Sequence, residues 1–270
     1  MNIFERLLYF LQAEMVKPHG FGWFHLLSIF IAFFSIGILC YQKKYNQKKL
    51  KIVLGTYGFI ALILEILKQL IWAMEYNPTL NLVTWDYDWY SFPFQLCTTP
   101  IYVTCLCYFL KKNKLRDYLL SYVAYITILG SIATIIMPDT CFVSDILINI
   151  QTMWMHLGSF VVSVYLLISR EVKINKKSLQ KAIITFIGFV LFANLLNIFV
   201  YNLGVLNGET FNMFYISPYF ISELPIFNII QENVPYIIFF IIYILALSLG
   251  GTIIYYIANF CKFLFAKKRN

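Results

Sequence analysis

Seven apolar stretches alternate with polar segments along the chain. A helix needs about 20 apolar residues to cross the hydrocarbon core of a bilayer. The pattern therefore predicts membrane-spanning helices at about 21–41, 52–74, 94–110, 118–137, 147–169, 180–203 and 235–260. The third predicted span is short. The fold class that follows is an all-α membrane protein, a bundle of seven transmembrane helices.

The charges of the polar segments predict how this bundle is oriented. Segments 75–93, 138–146 and 204–234 contain no Lys or Arg, whereas every other connection and the C-terminal end are basic. Basic residues favour the cytoplasmic side of a membrane. The pattern therefore predicts an outside N-terminus and a cytoplasmic C-terminus. The basic residues in question are Lys43, Lys44, Lys48, Lys49, Lys51, Lys111, Lys112, Lys114, Arg116, Arg170, Lys173, Lys176, Lys177, Lys181, Lys262, Lys267, Lys268 and Arg269.

Composition agrees with a multi-pass protein of the cell membrane. The chain is 60% hydrophobic and 13% charged, whereas soluble domains are about half apolar and a quarter charged. The net charge of +8 is distributed in short clusters between the spans. Such clusters encode membrane topology, so nucleic acid is not an expected partner. The six cysteines have no metal-type spacing and no phosphate-binding glycine loop is visible, so neither metal nor cofactor is expected.

Three regions are predicted along the chain. Residues 1–20 form an amphipathic interfacial segment, because Phe4, Leu7, Leu8 and Leu11 lie on one helical face. Residues 21–260 form the transmembrane domain, and residues 261–270 form a basic cytoplasmic tail. The outer loop 204–234 is rich in Phe, Tyr, Asn and Pro, and we expect it to fold back onto the bundle.

Polar side chains inside the predicted spans are the first candidates for function. Glu65, Lys68 and Gln69 share one face of span two, and ionisable residues inside a membrane usually mark a functional site. An ion pair that only sets helix register is the equal alternative. Span six carries Asn194 and Asn197 on one face, a pattern that hydrogen bonds between helices explain by themselves.

The stretch FPFQLCTTP, residues 92–100, contains a proline followed by a cysteine. Proline is favoured at the start of a helix, so Pro93 is predicted to begin span three and to place Cys97 about 6 Å deeper. His156 lies at a similar depth in span five. An imidazole can take the proton of a thiol, which is the nucleophile–base arrangement of covalent acyl transfer. A packing cysteine and a structural histidine are the alternative.

Three short motifs resemble a known family. They are FPFQLC at 92–97, MHLGSF around His156, and TFNMFYISP, which contains Asn212, Tyr215 and Pro218. In this order they resemble the YwaF family of bacterial membrane proteins, which is related to the eukaryotic transmembrane protein 164 family. The family pattern is roughly LPLHLC or LPLQLC. This chain has Phe in place of both Leu residues before the glutamine, and Gln95 stands where many relatives have His.

The resemblance implies an activity on membrane phospholipids. The eukaryotic relatives are regarded as acyltransferases that move fatty acyl chains between phospholipids, with the motif cysteine as nucleophile. By that resemblance Cys97 accepts the acyl group and His156 acts as the base of a membrane-embedded acyltransferase or lipid hydrolase. Supporting roles in binding or positioning fall to a further set of residues, which are Gln95, Glu65, Lys68, Gln69, Asn212 and Tyr215.

Two alternatives stay open at this point. A non-enzymatic small-molecule transporter or ligand-binding membrane protein would use the polar faces of spans two and six to line a path. In addition, Cys141 in the outer loop could form a disulfide with Cys97 in an oxidising environment, which would abolish the nucleophile.

Overall fold

The computed structural model describes residues 1–41 and 45–267, with side chains as far as residue 263. Several of the basic residues used for the orientation therefore lie outside the described residues, namely Lys43, Lys44, Lys268 and Arg269, together with the side chain of Lys267. Helices dominate the described chain, and their bounds are α1 Ile3–Leu11, α2 Trp23–Tyr41, α3 Gln47–Ala73, α4 Thr99–Phe109, α5 Lys114–Tyr122, α6 Ile128–Ile136, α7 Ile146–Ile168, α8 Lys176–Asn202, α9 Phe227–Asn233 and α10 Tyr236–Lys267.

Six helices in the described chain are long and apolar enough to cross a membrane. They are α2, α3, the continuous helix Lys114–Ile136, α7, α8 and α10. A π-helical turn at Val123–Thr127 joins α5 to α6 within that continuous helix. The prediction of an all-α membrane protein is therefore confirmed.

The third predicted span differs from the expectation. It is the 11-residue helix α4, which at 1.5 Å per residue is about 16 Å long, roughly half the thickness of the hydrocarbon core. It begins at Thr99 instead of residue 94. The segment before it contains a short hairpin that the pattern did not predict: β1 (Met74–Asn77) pairs antiparallel with β2 (Leu82–Trp85).

Three of the helices begin with the same local signal at the basic end of the bundle. Asn46, Asn113 and Asn175 precede α3, α5 and α8, and each side chain accepts a backbone N–H from the first turn at 2.8–2.9 Å. Asparagine is a preferred N-cap because it satisfies N–H groups that the helix cannot. The polar segments between spans thus determine where these helices start.

Helix α3 packs against both α4 and α7, and the continuous helix Lys114–Ile136 is the most buried of the six apolar helices. Helix α8 packs against α5 and α10, and the π-helical turn contacts α7, α8 and α10. The loop after α8 folds back as expected: Phe211, Met213 and Phe214 are fully buried and belong to the main core. This loop closes the end of the bundle opposite the Asn-capped helix starts.

The N-terminal helix α1 is attached to the same end. Gln12 donates to the backbone carbonyls of Ile71 and Met74 at 3.0 and 2.9 Å. Leu8 is completely buried, whereas Phe4 and Leu7 are about half exposed. Half of the apolar stripe therefore packs on protein, and the interfacial role of the other half stays a prediction.

Candidate functional site

The segment that carries Cys97 is a turn and not a helix. The N–H of Thr98 donates to the carbonyl of Gln95 at 3.0 Å, and the hydroxyl of Thr98 accepts the N–H of Gln95 at 2.7 Å. Such side-chain bonds compete with helix formation, and Pro100 instead occupies the first turn of α4. The prediction that Pro93 begins the helix was therefore wrong. Cys97 lies in the turn that precedes α4.

Gln95 connects this turn to the loop that follows α8. Its amide oxygen accepts the N–H of Phe214 at 2.7 Å, and its amide nitrogen donates to the carbonyl of Asn212 at 2.9 Å. Both the donor and the acceptor of this side chain therefore bond to the backbone of one loop. Gln95, which the sequence made a candidate for binding or positioning, is a clamp that holds the Cys97 turn against this loop.

The side chain of Asn212 stabilises the same loop through hydrogen bonds within it. Its side-chain oxygen accepts the N–H of Ser217 at 2.8 Å, and its nitrogen donates to the carbonyl of Ile221 at 3.0 Å. Asn197 of α8 bonds both the N–H and the carbonyl of Met213, at 2.7 and 3.0 Å. The side-chain amide of Asn212 is thus occupied within the loop, whereas Tyr215 at the end of the same turn is partly exposed.

Two residues of this loop have unusual backbone conformations. Phe214 and Tyr215 have φ angles of 58° and 57°. This left-handed region is uncommon for residues with a side chain, and strained positions cluster at functional sites. The clamps from Gln95 and Asn197 hold the backbone there.

Glu65 and Lys68 form a buried ion pair on α3. The carboxylate and ammonium are 2.8 Å apart, and the two residues are 2% and 8% exposed. Gln69 donates to the same carboxylate at 2.9 Å and to the carbonyl of Ser91 at 2.7 Å. Through Ser91 this network reaches the segment just before the Cys97 turn. Such further hydrogen bonds help to offset the cost of removing the ion pair from water.

The remaining carboxylate oxygen of Glu65 has a partner that sequence reasoning missed. Gln151 of α7 donates to it at 2.8 Å and is 3% exposed. The position of Gln151 inside a predicted span was a usable signal, because a polar amide there usually hydrogen-bonds to another helix. The ion pair therefore joins α3 to α7.

Cys97 keeps some exposed surface as a residue, but its thiol is buried, and Glu65 and Lys68 lie within electrostatic range of it. Four tyrosine hydroxyls lie in the same range, from Tyr57, Tyr122, Tyr215 and Tyr243. Sequence reasoning did not single out three of these four, because tyrosine is common in every segment of this chain. The thiol thus lies in a polar interior region to which four separate segments contribute.

His156 lies on α7, and its imidazole is buried although the residue keeps some exposed surface. Its ring faces the backbone carbonyl of Gly130 on α6. Within the described part of the chain no hydrogen bond joins His156 to Cys97. Tyr57 links the two regions, since its hydroxyl lies within electrostatic range of Cys97 and donates to the carbonyl of Met155 at 3.1 Å, one residue before His156.

Gly158 allows α3 and α7 to approach each other closely. A Cβ atom at Gly158 would lie 2.7 Å from the ring of Tyr57, far below a normal carbon contact. Helix interfaces in membranes favour small residues for this reason. The MHLGSF motif therefore brings His156 and the Tyr57 ring to the same level of the bundle.

A protein-family model covers most of the chain. The model of the TMEM164 family matches residues 17–255, a region that contains all three motifs. The chain belongs to the TMEM164 family. No curated protein and no solved structure matches it.

The cysteines of this TMEM164 family member are all free thiols. Cys141 lies within electrostatic range of Cys97, and its sulfur is 4.0 Å from the hydroxyl of Thr134. No group of His, Cys, Asp and Glu residues that could hold a metal ion occurs in ranges 1–41 and 45–267.

Proposed function

We propose that this TMEM164 family protein transfers or hydrolyses phospholipid acyl chains, with Cys97 as nucleophile and His156 as general base. The observation that carries the proposal is the placement of Cys97. It is a buried thiol in a turn at the end of a helical bundle, with hydroxyl groups and a buried ion pair within electrostatic range. A lipid ester that enters this end of the bundle can meet the thiol without its acyl chain leaving the bilayer.

In this mechanism the Cys97 sulfur attacks the ester carbonyl of a phospholipid. His156 takes the thiol proton and gives it to the leaving glycerol oxygen, so that a thioester and a lysophospholipid form. A second hydroxyl, from lysophospholipid or water, then attacks the thioester and restores the thiol. Catalytic hydrogen bonds are often long without substrate, so we place the Cys97–His156 contact in the substrate complex.

Hydrogen-bond donors near the thiol suit the oxyanion that forms during attack. The hydroxyl of Tyr243 is fully buried and has no hydrogen-bond partner within the described chain. Tyr215 approaches from the outer loop. Preorganised donors of this kind are commonly the largest contribution to acyl-transfer catalysis, and we assign that role to these two hydroxyls.

The proposal includes the topology of the bundle. We infer that α4, together with the turn that precedes it, completes a seventh crossing, with the N-terminus outside and the C-terminus in the cytoplasm of a cell membrane. The alternation of acidic and basic connections supports this orientation. The Cys97 turn then faces the outer leaflet.

The deciding experiment uses the full chain in vesicles that contain phospholipids with isotopically labelled acyl chains. Wild type and Cys105→Ser should exchange or release labelled chains, whereas Cys97→Ser should be inactive although it folds normally. A thioester on Cys97 should be trapped by mass spectrometry. Equal lipid remodelling by wild type and Cys97→Ser would eliminate the thiol mechanism and favour transport or ligand binding.

A further inference from the structure

Helix α1 is held at the level where α3 ends and α7 begins. The side chain of Gln12, directly after α1, donates to the carbonyls of Ile71 and Met74 at the end of α3. The segment that follows bonds to the start of α7, where the N–H of Ile146 donates to the carbonyl of Ala13 at 3.1 Å. Because α3 and α7 are long and apolar enough to cross a membrane, these attachments place α1 at the level of the bilayer surface.

One side of α1 packs on the protein. Leu8 is fully buried, and Leu11 packs against the same small core. Phe4 stacks on Trp85 of the β-hairpin, with the ring centres 6.4 Å apart. The protein therefore contacts most of the apolar stripe that the sequence predicted for the membrane surface.

A different stripe of α1 is left uncovered. Ile3 and Phe10 are 89% and 75% exposed, and Leu7 is 53% exposed. At about 100° per residue, these three side chains fall within an arc of roughly 60° on the helix surface. Large apolar side chains that are exposed together on one face mark contact with a membrane or with another protein.

The charged side chains of α1 lie outside this uncovered stripe. Glu5 points away from it and accepts the N–H of Asn2 at 2.7 Å. Arg6 borders the stripe, because it lies three residues after Ile3 and four before Phe10. It is exposed and takes part in none of the ion pairs of the described chain. A guanidinium beside an apolar stripe suits the phosphate layer of a bilayer, which arginine reaches while its stem stays on apolar surface.

The uncovered stripe continues the lipid-facing surface of the bundle. Only 11% of the apolar window of α2 is buried, so this helix presents most of its surface to lipid. Trp23 at the start of α2 is exposed, as are Val16 and Phe21 in the segment between α1 and α2. Exposed apolar side chains therefore follow the chain from α2 back to α1. Tryptophan is also favoured at the boundary between membrane and water.

We propose that the uncovered stripe of α1 lies in the bilayer leaflet at this end of the bundle, with the guanidinium of Arg6 at the lipid phosphates. The surface of α1 is then divided among three neighbours: Leu8 contacts protein, the stripe contacts acyl chains, and Glu5 faces water. Interfacial helices lie in this way, about 5–10 Å into the boundary between head groups and acyl chains. Every phospholipid offers a phosphate to Arg6, so the lipid surface matches both the apolar and the charged part of this face.

This lipid contact does not depend on the proposed acyl transfer. None of the residues that form the stripe belongs to the Cys97 region, and the attachment of α1 to α3 and α7 is the same whichever side of the membrane this end faces. The tests below therefore measure the position of α1 and not catalysis.

The first test compares two cysteine variants of the full chain in nanodiscs, where both sides of the bilayer are open to solvent. Phe10→Cys places a thiol in the stripe, and Tyr9→Cys places one on the neighbouring exposed side of the same turn. A membrane-impermeant maleimide should modify Tyr9→Cys at least about fivefold faster, because a position within the head-group and acyl boundary is shielded from water. Wild type gives the background of the native thiols. Equal rates would show that the stripe faces water and would overturn the proposal.

The same Phe10→Cys variant tests whether a second copy of the chain covers the stripe. Mild oxidation in vesicles should give no more disulfide-linked dimer than wild type gives. A dimer that forms only in Phe10→Cys would assign the stripe to a contact between two copies and would overturn the lipid contact.

Photocrosslinking tests the lipid contact without a new cysteine. A phosphatidylcholine with a diazirine at the start of one acyl chain should give more adducts on Ile3, Leu7 and Phe10 than on Tyr9. Arg6→Glu should reduce these adducts, because a carboxylate is repelled by the phosphates, whereas Arg6→Lys should retain them. An even spread of adducts around α1 would overturn the membrane contact, and equal yields in the two Arg6 variants would overturn the contact of Arg6 with phosphate. Retained protection of the Ile146 N–H in hydrogen exchange confirms that α1 stays attached in each variant.

Discussion

Gln95 accepts the backbone N–H of Phe214 at 2.7 Å, although 119 positions separate the two residues in the chain. The same side chain donates to the carbonyl of Asn212. The turn that carries Cys97 and the loop that carries Tyr215 are thereby held in one arrangement. Any substrate that contacts both segments meets a preformed surface, which lowers the cost of ordering them on binding.

Replacing Gln95 by leucine should destabilise the outer end of the bundle. The N–H of Phe214 and the carbonyl of Asn212 would both lose their partner, and each buried unsatisfied group costs about 1–3 kcal/mol. Hydrogen exchange of residues 205–222 should therefore accelerate. Asn233→Ala, which removes a bond within the exposed helix α9, is the control. Unchanged hydrogen exchange of residues 205–222 in Gln95→Leu would contradict the role of Gln95 as a clamp.

Replacing Lys68 by methionine should be strongly destabilising. Glu65 would remain buried without its cation, and breaking such a pair costs about 3–5 kcal/mol. The double variant Glu65→Gln, Lys68→Met removes both charges and should recover much of this loss. Denaturation in detergent measures the free energies of unfolding. If the double variant were no more stable than Lys68→Met, the loss of stability would not come from the unpaired charge of Glu65.

Cys97 should be the thiol that reacts preferentially with a lipid-like electrophile. It is the cysteine to which the proposed mechanism assigns a base, His156. His156→Ala should slow labelling of Cys97 about tenfold, because the imidazole promotes the reactive thiolate. Mass spectrometry of digested protein gives the labelling of each cysteine. Equal rates in wild type and His156→Ala would remove His156 from the mechanism.

The orientation is testable with a membrane-impermeant maleimide on intact cells. A cysteine at Asn81, at the exposed tip of the β1–β2 hairpin, should react from outside. A cysteine at Lys48, exposed at the start of α3, should react only after the membrane is opened. Unmodified protein gives the background of the native thiols. Labelling of the Lys48 variant in intact cells would reverse the topology.

The contact between the N-terminal segment and the start of α7 should weaken as pH rises. Burial raises the pKa of Asp145 above its usual value, and the nearby carboxylate of Glu14 raises it further. A group with a raised folded-state pKa contributes stability that is fully present below its unfolded pKa, about 3.9. That contribution is lost as pH increases through the folded pKa.

Hydrogen exchange measures this contact directly. The N–H groups of Met15 and Ile146 donate across it, to Ser144 and Ala13, at 2.7 and 3.1 Å. Protection of these two amides, corrected for intrinsic exchange, should be greater at mildly acidic than at neutral pH. Asp145→Asn should remove the difference, and Asp86→Asn, an exposed position on the same side, should keep it.

The sequence by itself determined the membrane character and the approximate extent of most helices. These features depend on sums over neighbouring residues, namely apolar length and charge clusters. It also identified Glu65 and Lys68 as a pair, because residues three apart on a helix face each other. The three motifs were sufficient to predict the family.

Only the tertiary structure decided how the candidate site is assembled. The Cys97 segment forms a turn because the side chains of Thr98 and Gln95 bond locally and to a distant loop. Gln151 reaches Glu65 across 86 positions of sequence. Hydrophobicity acts locally along the chain, whereas the partner of a buried polar group depends on which helices pack together.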